Sequence, residues 1–313
     1  MGHADTITKQ YMKNQHIFAD AFNFFIYNGE QQILAEQLHS LDNSYAETLP
    51  DDSSIQRVRD GLKYMTAMAD QQTAYAVLGI ENQTEIHYAM PVRNMLYDAL
   101  EYTSQVRQTA SAHKENKNFK VSRGEYLSGF YKTDKLTPVL TLVIYFGSSP
   151  WDGPLSLHDM MDLHDDSLRN LIVDYPLYLI APAQMDDADF SKFRTSLGPV
   201  LKFIKYSKEK NKIKQLLTED AYKHLDCMAA KVLRSCTHIK LELDEKKEEI
   251  NMCQAIDELI EDGRMEGQAE GRMNERKVIA LKLLKEPAFT LTKIEELTGL
   301  SEQEVEDLKL TIA

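Results

Sequence analysis

Asp60, Glu81 and Gln83 are the residues of this chain whose types and spacing best suit chemistry. Asp60 opens the stretch RDGLKYMT, 59–66, which reads as a strand. Glu81 stands where the apolar run AYAVLGI turns polar as ENQ. Gln83 follows it by two residues, and residues two apart on a strand project from the same face. An adjacent strand could bring Asp60 beside them. Two converging carboxylates repel each other unless a cation or a proton lies between them. Mg²⁺, or Mn²⁺ in its place, takes oxygen ligands, keeps several waters and stabilises charge developing on a phosphate. The set therefore suits phosphodiester hydrolysis, with Asp60 and Glu81 as metal ligands. Acids at strand ends are more often simply solvated, so spacing alone favours the blander reading.

The elements that must position these residues are legible from periodicity. NQHIFADAFNFFIY, 14–27, reads as a helix with Ile17, Phe18, Ala21, Phe22 and Phe25 on one apolar face. Asp20 and Asn23 are neighbours on that helix, and Asn28-Gly29 stops it. Residues 42–55 read as a polar loop around Pro50. The run within 72–83 suits a strand buried on both faces. A helix over 91–108 starts at Pro91. Its expected buried stripe is Val92, Met95, Leu96, Ala99, Leu100, Thr103 and Val106, with Arg93, Tyr97, Glu101 and Gln105 as a second row. Residues 111–124 read as a loop, and VLTLVIYF, 139–146, and PLYLIAP, 176–182, as strands. Beyond about 186 the chain reads as helices over 190–207, 212–236, 243–285 and 291–310, with no strand after 190. This order implies a mixed α/β domain over 1–185 and a helical C-terminal region over 186–313.

Composition narrows the function. Hydrophobic content of 43% fills a real core. The chain has no apolar run long enough to span a bilayer and no leader-like apolar stretch at its start, which implies a cytoplasmic protein without a membrane partner. Cys227, Cys236 and Cys253 show no zinc or disulfide spacing. A net charge of −13 argues against a passive nucleic-acid coat but not against an enzyme with a local positive groove.

The stretches RVRDGLKYM and AYAVLGIENQTEIHYAMPVRNMLYDALEYTSQV, with IFADAFNFFIYNG upstream and TPVLTLVIYFG and PLYLIAP downstream, carry a resemblance. They resemble the recombination-promoting nuclease and transposase-like family of the PD-(D/E)xK nuclease superfamily, over roughly 15–182. The resemblance implies a restriction-endonuclease-like core, whose first strand Ile33 and Leu34 would mark, and a Mg²⁺-dependent endonuclease acting on DNA, linked to recombination or mobile elements. It sets Asp60 as the motif Asp, Glu81 as the motif Glu and Gln83 in the Lys position. Asp20 falls where the first helix could set an acid near the site, and Arg93 lies in the matching MPVRNMLYD block. Gln83 departs from the superfamily Lys. Its neutral amide can orient water by hydrogen bonds but adds no charge, which implies slow turnover. Counting the pleat from Asp60 puts Lys63 on the other face, which argues against it as a replacement.

Weaker signals remain. LKFIKYSKEKNKIK, 201–214, holds six lysines and could touch a DNA backbone, although such a run is more often a solvated helix face. LTKIEELTGLSEQEVEDLK, 291–309, resembles a helix-turn-helix, but Glu302, Glu304, Glu306 and Asp307 oppose entry into a groove. Packing or partner binding, including a homo-oligomer contact through the C-terminal helices, suits it better. His158 and His164 are not spaced for one helix face. Two other functions stay open: a catalytically weak DNA-binding or transposition-accessory protein, and a regulator that binds a partner through its helical tail.

Overall fold

The computed structural model describes residues 3–40, 62–67, 74–115, 121–239, 241–244 and 246–310. The chain divides into two compact units, Met1–Met252 and Cys253–Ala313. The first is mixed α/β, rich in helix, around a small five-stranded sheet.

The sheet order is β1-β2-β3-β4-β5. β1 (Leu38–Ser40), β2 (Leu62–Ala67) and β3 (Ala74–Gln83) are successively antiparallel. β4 (Val139–Tyr145) and β5 (Tyr178–Ile180) continue parallel to β3. Parallel neighbours need a long crossover, and α3 (Met90–Glu115) lies in the one from β3 to β4. Leu142, Val143 and Ile144 are fully buried in β4, as its unbroken apolar sequence demands.

β1 corrects the expectation of a first strand at Ile33–Leu34. Asn23 explains the shift. Its amide oxygen accepts the N–H groups of Gln32 (3.1 Å) and Ile33 (2.8 Å), and its amide nitrogen donates to the Ile33 carbonyl (2.8 Å). The backbone there already has partners, so pairing begins later.

α2 (Gln15–Tyr27) matches the expected first long helix. Asn14 caps it by accepting the His16 N–H, and Asn28 ends it in the left-handed region. Gly29 follows at φ +92°, where a Cβ would lie 2.7 Å from the Lys192 carbonyl, so glycine is required on two counts. The sequence reading contains no helix before residue 14, yet α1 (His3–Met12) buries Ile7, Thr8, Tyr11 and Met12 at helical spacing. The expected loop over 111–124 is partly helical as well. α3 runs on to Glu115, and Ser122 opens α4 (Arg123–Ser128) with a capping box to Glu125.

Past residue 185 the same unit continues. After α5 (Asp166–Leu171) and β5 come α6 (Leu197–Tyr206), α7 (Lys210–Leu216) and α8 (Cys227–Thr237). α8 packs on α1 and α6, and α6 touches α2. Segment 186–252 therefore shares the core of the sheet-bearing unit, and the boundary expected at 185 is spanned by helix packing. The expectation of no strand after 190 is also corrected. β6 (Leu225–Asp226) pairs antiparallel with β7 (Glu249–Ile250), and two residues per strand are too few to leave a period.

The second unit is helical. α9 (Met252–Leu283) starts at the junction, and its last turns pack with α10 (Leu291–Thr298) and α11 (Glu302–Leu310). Ala280, Ile294, Leu300 and Val305 form that core. Gly299 makes the turn between α10 and α11 at φ +65°. No helix among the described residues is long and apolar enough to cross a membrane.

Candidate functional site

α3 lies along β4 in the opposite direction, and side-chain bonds fix the register. Asp98 accepts the Thr141 hydroxyl at 2.6 Å. The Tyr102 hydroxyl accepts the Val139 N–H at 3.0 Å. Gln105 takes the Thr137 N–H at 2.8 Å and donates back to its carbonyl at 3.2 Å. At the other end Met90 packs with Val143, Tyr145, Trp151, Leu177 and Ala181. One helical turn rises about 5.4 Å and two strand residues about 6.6 Å, so each turn of α3 matches one alternate position of β4. Asn94, one turn before Asp98 and one after Met90, therefore lies at the level of Val143.

β3 lies next to β4. Gly79 pairs with Thr141, Glu81 with Val143 and Gln83 with Tyr145. These odd-numbered positions share the sheet face that α3 covers. Glu81 and Gln83 thus fall on one face, as their spacing predicts. The even positions face the other way. There Asn82 pairs with Ile144 and is buried, and next along the chain Thr84 donates to Asp5 of α1 at 2.6 Å.

The expected apolar stripe of α3 is not the face toward the sheet. Met90, Pro91, Asn94, Tyr97 and Asp98 are buried, whereas Val92 and Leu96 are 40% and 47% exposed. The reason is hydrogen bonding. Asp98 takes Thr141 from β4 and also accepts the Tyr175 hydroxyl, so polar partners on the sheet side turn a polar row inward. Burial first, and then the Asp98 carboxylate, push the Tyr175 hydroxyl far above its ordinary pKa, so it stays a proton donor to Asp98. Asn94 is 1% exposed, and its amide oxygen has no hydrogen-bond partner.

Each residue singled out from the sequence has a place. Asp60 lies outside the described residues. Glu81 stands in β3 opposite Val143. Gln83 is half-buried opposite Tyr145, and its carbonyl accepts the Phe146 N–H at 2.7 Å. Arg93 is half-buried, donates through Nε to the Tyr97 hydroxyl and lies 5.5 Å over the Tyr97 ring. Lys63 pairs with Gly79 across β2–β3. Directly opposed residues share a face. In backbone register position 63 has the same alternation as positions 79, 81 and 83, while the pleat count from Asp60 lies outside the described residues.

Asp20 is built into another part of the unit. It is 1% exposed on α2, and its carboxylate accepts the Arg194 N–H (3.0 and 2.9 Å), the Thr195 N–H (2.8 Å) and the Thr195 hydroxyl (2.6 Å). It thereby holds the turn that leads into α6.

Sequence reasoning missed Asn94, Asp98, Thr141 and Tyr175. The signal was present in NMLYD, 94–98, where polar Asn and Asp stand one helical turn apart beside Tyr97. Alternative centres are weaker. A cavity of about 510 Å³ beside α1 and α2 includes Tyr11, His16 and Ser196 in its wall, but none of the residues above. Its His224 is paired with Glu249 at 3.0 Å. No group of three or more His, Cys, Asp or Glu among the described residues could hold a metal. In the lysine run, Lys202 pairs with Glu219 and Lys205 with Asp187, while Leu201, Phe203 and Ile204 are core.

Comparison with curated proteins and with solved structures returned no match. A family model described as "Putative transposase, YhgA-like" matches residues 3–230, which covers the five-stranded sheet, α3 and the helices up to the first turn of α8. That span takes in most of the chain, and the protein belongs to the YhgA-like transposase family.

Proposed function

We propose that the sheet face beneath α3 hydrolyses DNA phosphodiesters with a divalent cation, in the manner of PD-(D/E)xK nucleases. The observation that carries the reading is the polar seam itself: Glu81 and Gln83 share a sheet face with position 63, against the α3 row Arg93, Asn94, Tyr97 and Asp98. Buried polar groups are costly unless they are satisfied, and in this row the Asn94 oxygen has no protein partner. Family membership supports a role on mobile DNA.

The donor chemistry fits Mg²⁺ or Mn²⁺. Carboxylate and amide oxygens are hard ligands, and the buried Asn94 oxygen has no protein partner. Asp60 and Glu81 would hold the ion. Such an ion supplies charge that offsets the phosphate's developing negative charge and eases deprotonation of water. Gln83 then orients water through its amide. Arg93, fixed by Tyr97, sets a permanent positive charge beside the strand for a phosphate oxygen. Asp98 and Tyr175 hold α3 at the right height. Asp20 is left out of this set by its bonds to residues 194–195.

The test is incubation of purified protein with supercoiled plasmid in Mg²⁺, Mn²⁺, Ca²⁺ or EDTA. Nicking in Mg²⁺ or Mn²⁺ that EDTA stops and Glu81→Ala abolishes is the expected result. The neutral Gln83 favours one second reading, a DNA-binding accessory protein without cleavage. A gel shift in the absence of nicking would select it.

A further inference from the structure

We infer that residues 122–135 form a docking surface for an unpaired DNA strand, with the Tyr126 ring stacked on a base and Arg123, Lys132 and Lys135 on the flanking phosphates; the inference rests on the reading that this chain acts on DNA. Residues 113–135 hold six Lys or Arg against three Asp or Glu, in a chain whose net charge is −13. The fold separates the two signs. The Glu125 carboxylate accepts the N–H groups of Ser122 (2.9 Å) and Lys132 (3.2 Å). The Asp134 carboxylate accepts that of Tyr131 (2.6 Å) and meets His113 at 2.9 Å. Both acids are thus spent on holding the backbone. Arg123, Lys132 and Lys135 are exposed, and none forms a salt bridge with a described residue.

α4 buries no residue, and its Tyr126 and Leu127 are 75% and 73% exposed. So short a helix is marginal in water without packing. Local bonds hold this one: the Ser122–Glu125 capping box, the left-handed Gly129 at its end and the turn back to Lys132. Gly129 also seats it on α3, where a Cβ would lie 2.7 Å from that of Ala110, and the His113 ring stacks on Tyr131 at 3.6 Å. A fixed mount that presents an aromatic ring and three cations to solvent fits a polyanion with open base faces. A duplex encloses those faces and leaves the ring nothing to stack on. Ala110 lies 17 residues after Arg93 on α3, about 26 Å along the axis, a span that about eight nucleotides of one strand cover.

The test uses the full chain in EDTA, so that cleavage does not intervene, with a labelled oligo-thymine strand and a duplex of the same length, both read by fluorescence anisotropy. The wild type should bind the single strand more tightly than the duplex. Tyr126→Ala should weaken strand binding about tenfold and leave duplex binding unchanged. It should also keep the melting point, because α4 buries nothing. Tyr126→Phe retains the ring and should bind as the wild type does. Arg123→Gln and Lys132→Gln should each weaken both DNAs and lower the salt slope on the single strand by about 0.7. Wild-type strand affinity in Tyr126→Ala overturns the inference. So does an equal loss in Tyr126→Phe, a lowered melting point in Tyr126→Ala, or a wild type that binds neither DNA. Metal-dependent nicking together with strand binding indifferent to Tyr126 overturns this inference alone. Strand binding that needs Tyr126, without any metal-dependent nicking, supports it and overturns the hydrolytic reading.

Discussion

Asp20, Asn23 and Asp98 are buried, and each is bonded to groups from another part of the chain. Each closes a contact that apolar packing could not specify. The same environment makes them costly to remove, because the partners stay buried. Asp20→Ala should lower unfolding free energy by roughly 3–5 kcal/mol, read by urea titration, since it strands two backbone N–H groups and a hydroxyl. It should leave Mn²⁺ binding unchanged. Metal affinity that fell in step with stability would return Asp20 to the site. Gln83 is the residue where chemistry and superfamily pattern part. Gln83→Lys should match or exceed wild-type cleavage, and Gln83→Leu should lose it, since Leu orients no water. Equal rates for Leu and wild type would make Gln83 structural only.

Elements act on the site through register. Glu81 and Gln83 are useful together only because β3 pairs with β4 in one alignment, and α3 reaches that row only because Asp98 and Gln105 pin it. β2 meets β3 with Leu62 opposite Ile80, and the alternation shifts once, between Thr66 and Ala67. For Asp60 to share a cation with Glu81, the alternation must shift once more before Leu62. Cysteine pairs engineered at positions 60 and 81, compared with 60 and 82, read that alignment directly: cross-linking of 60 with 82 alone would remove Asp60 from the metal site. A second element-level effect is acid sensitivity. Asp187, in the 3-10 turn Asp187–Lys192, is held below the ordinary carboxylate range, first by the Tyr206 hydroxyl and then by Lys205 of α6. A lowered folded pKa contributes stability above the unfolded value of about 4 and loses it as pH falls through the folded value. Asp187→Asn should flatten the acid limb of the stability curve below about pH 4. The group is largely exposed, so the change should stay under about 1 kcal/mol.

At the scale of the molecule, the packing of α8 on α1 and α6 draws residues up to Met252 into the sheet-bearing unit. A chain cut after Met252 should fold and, on the hydrolytic reading, keep cleavage within about threefold of the whole chain, measured by circular dichroism and nicking. A cut after residue 285 is a harsher change than it looks. It removes Ile294, Leu300 and Val305 while leaving Ala280 and Leu283 uncovered, so it should aggregate more than the shorter chain does. A fully folded 1–252 product that has lost both DNA binding and cleavage would assign the tail a direct role.

Local sequence by itself determined a good part of this protein. AYAVLGIENQ and VLTLVIYF read as strands from their short apolar runs, and both are strands. Asn14 and Asn28-Gly29 bounded α2 by capping chemistry alone. The pairing of Glu81 with Gln83 on one face followed from the two-residue period of a strand. Tertiary structure decided what local pattern could not hold. The buried face of α3 was set by Thr141 and Tyr175, distant in sequence, so the apolar row Val92–Leu96 turned outward against its own periodicity. The first strand moved to Leu38–Ser40 because Asn23 captured the backbone before it. Asp20 became a clamp for residues 194–195, some 170 positions away, a bond no spacing rule contains. Position 63 joined the face of Glu81 through strand register, which depends on where two strands meet and not on either strand alone.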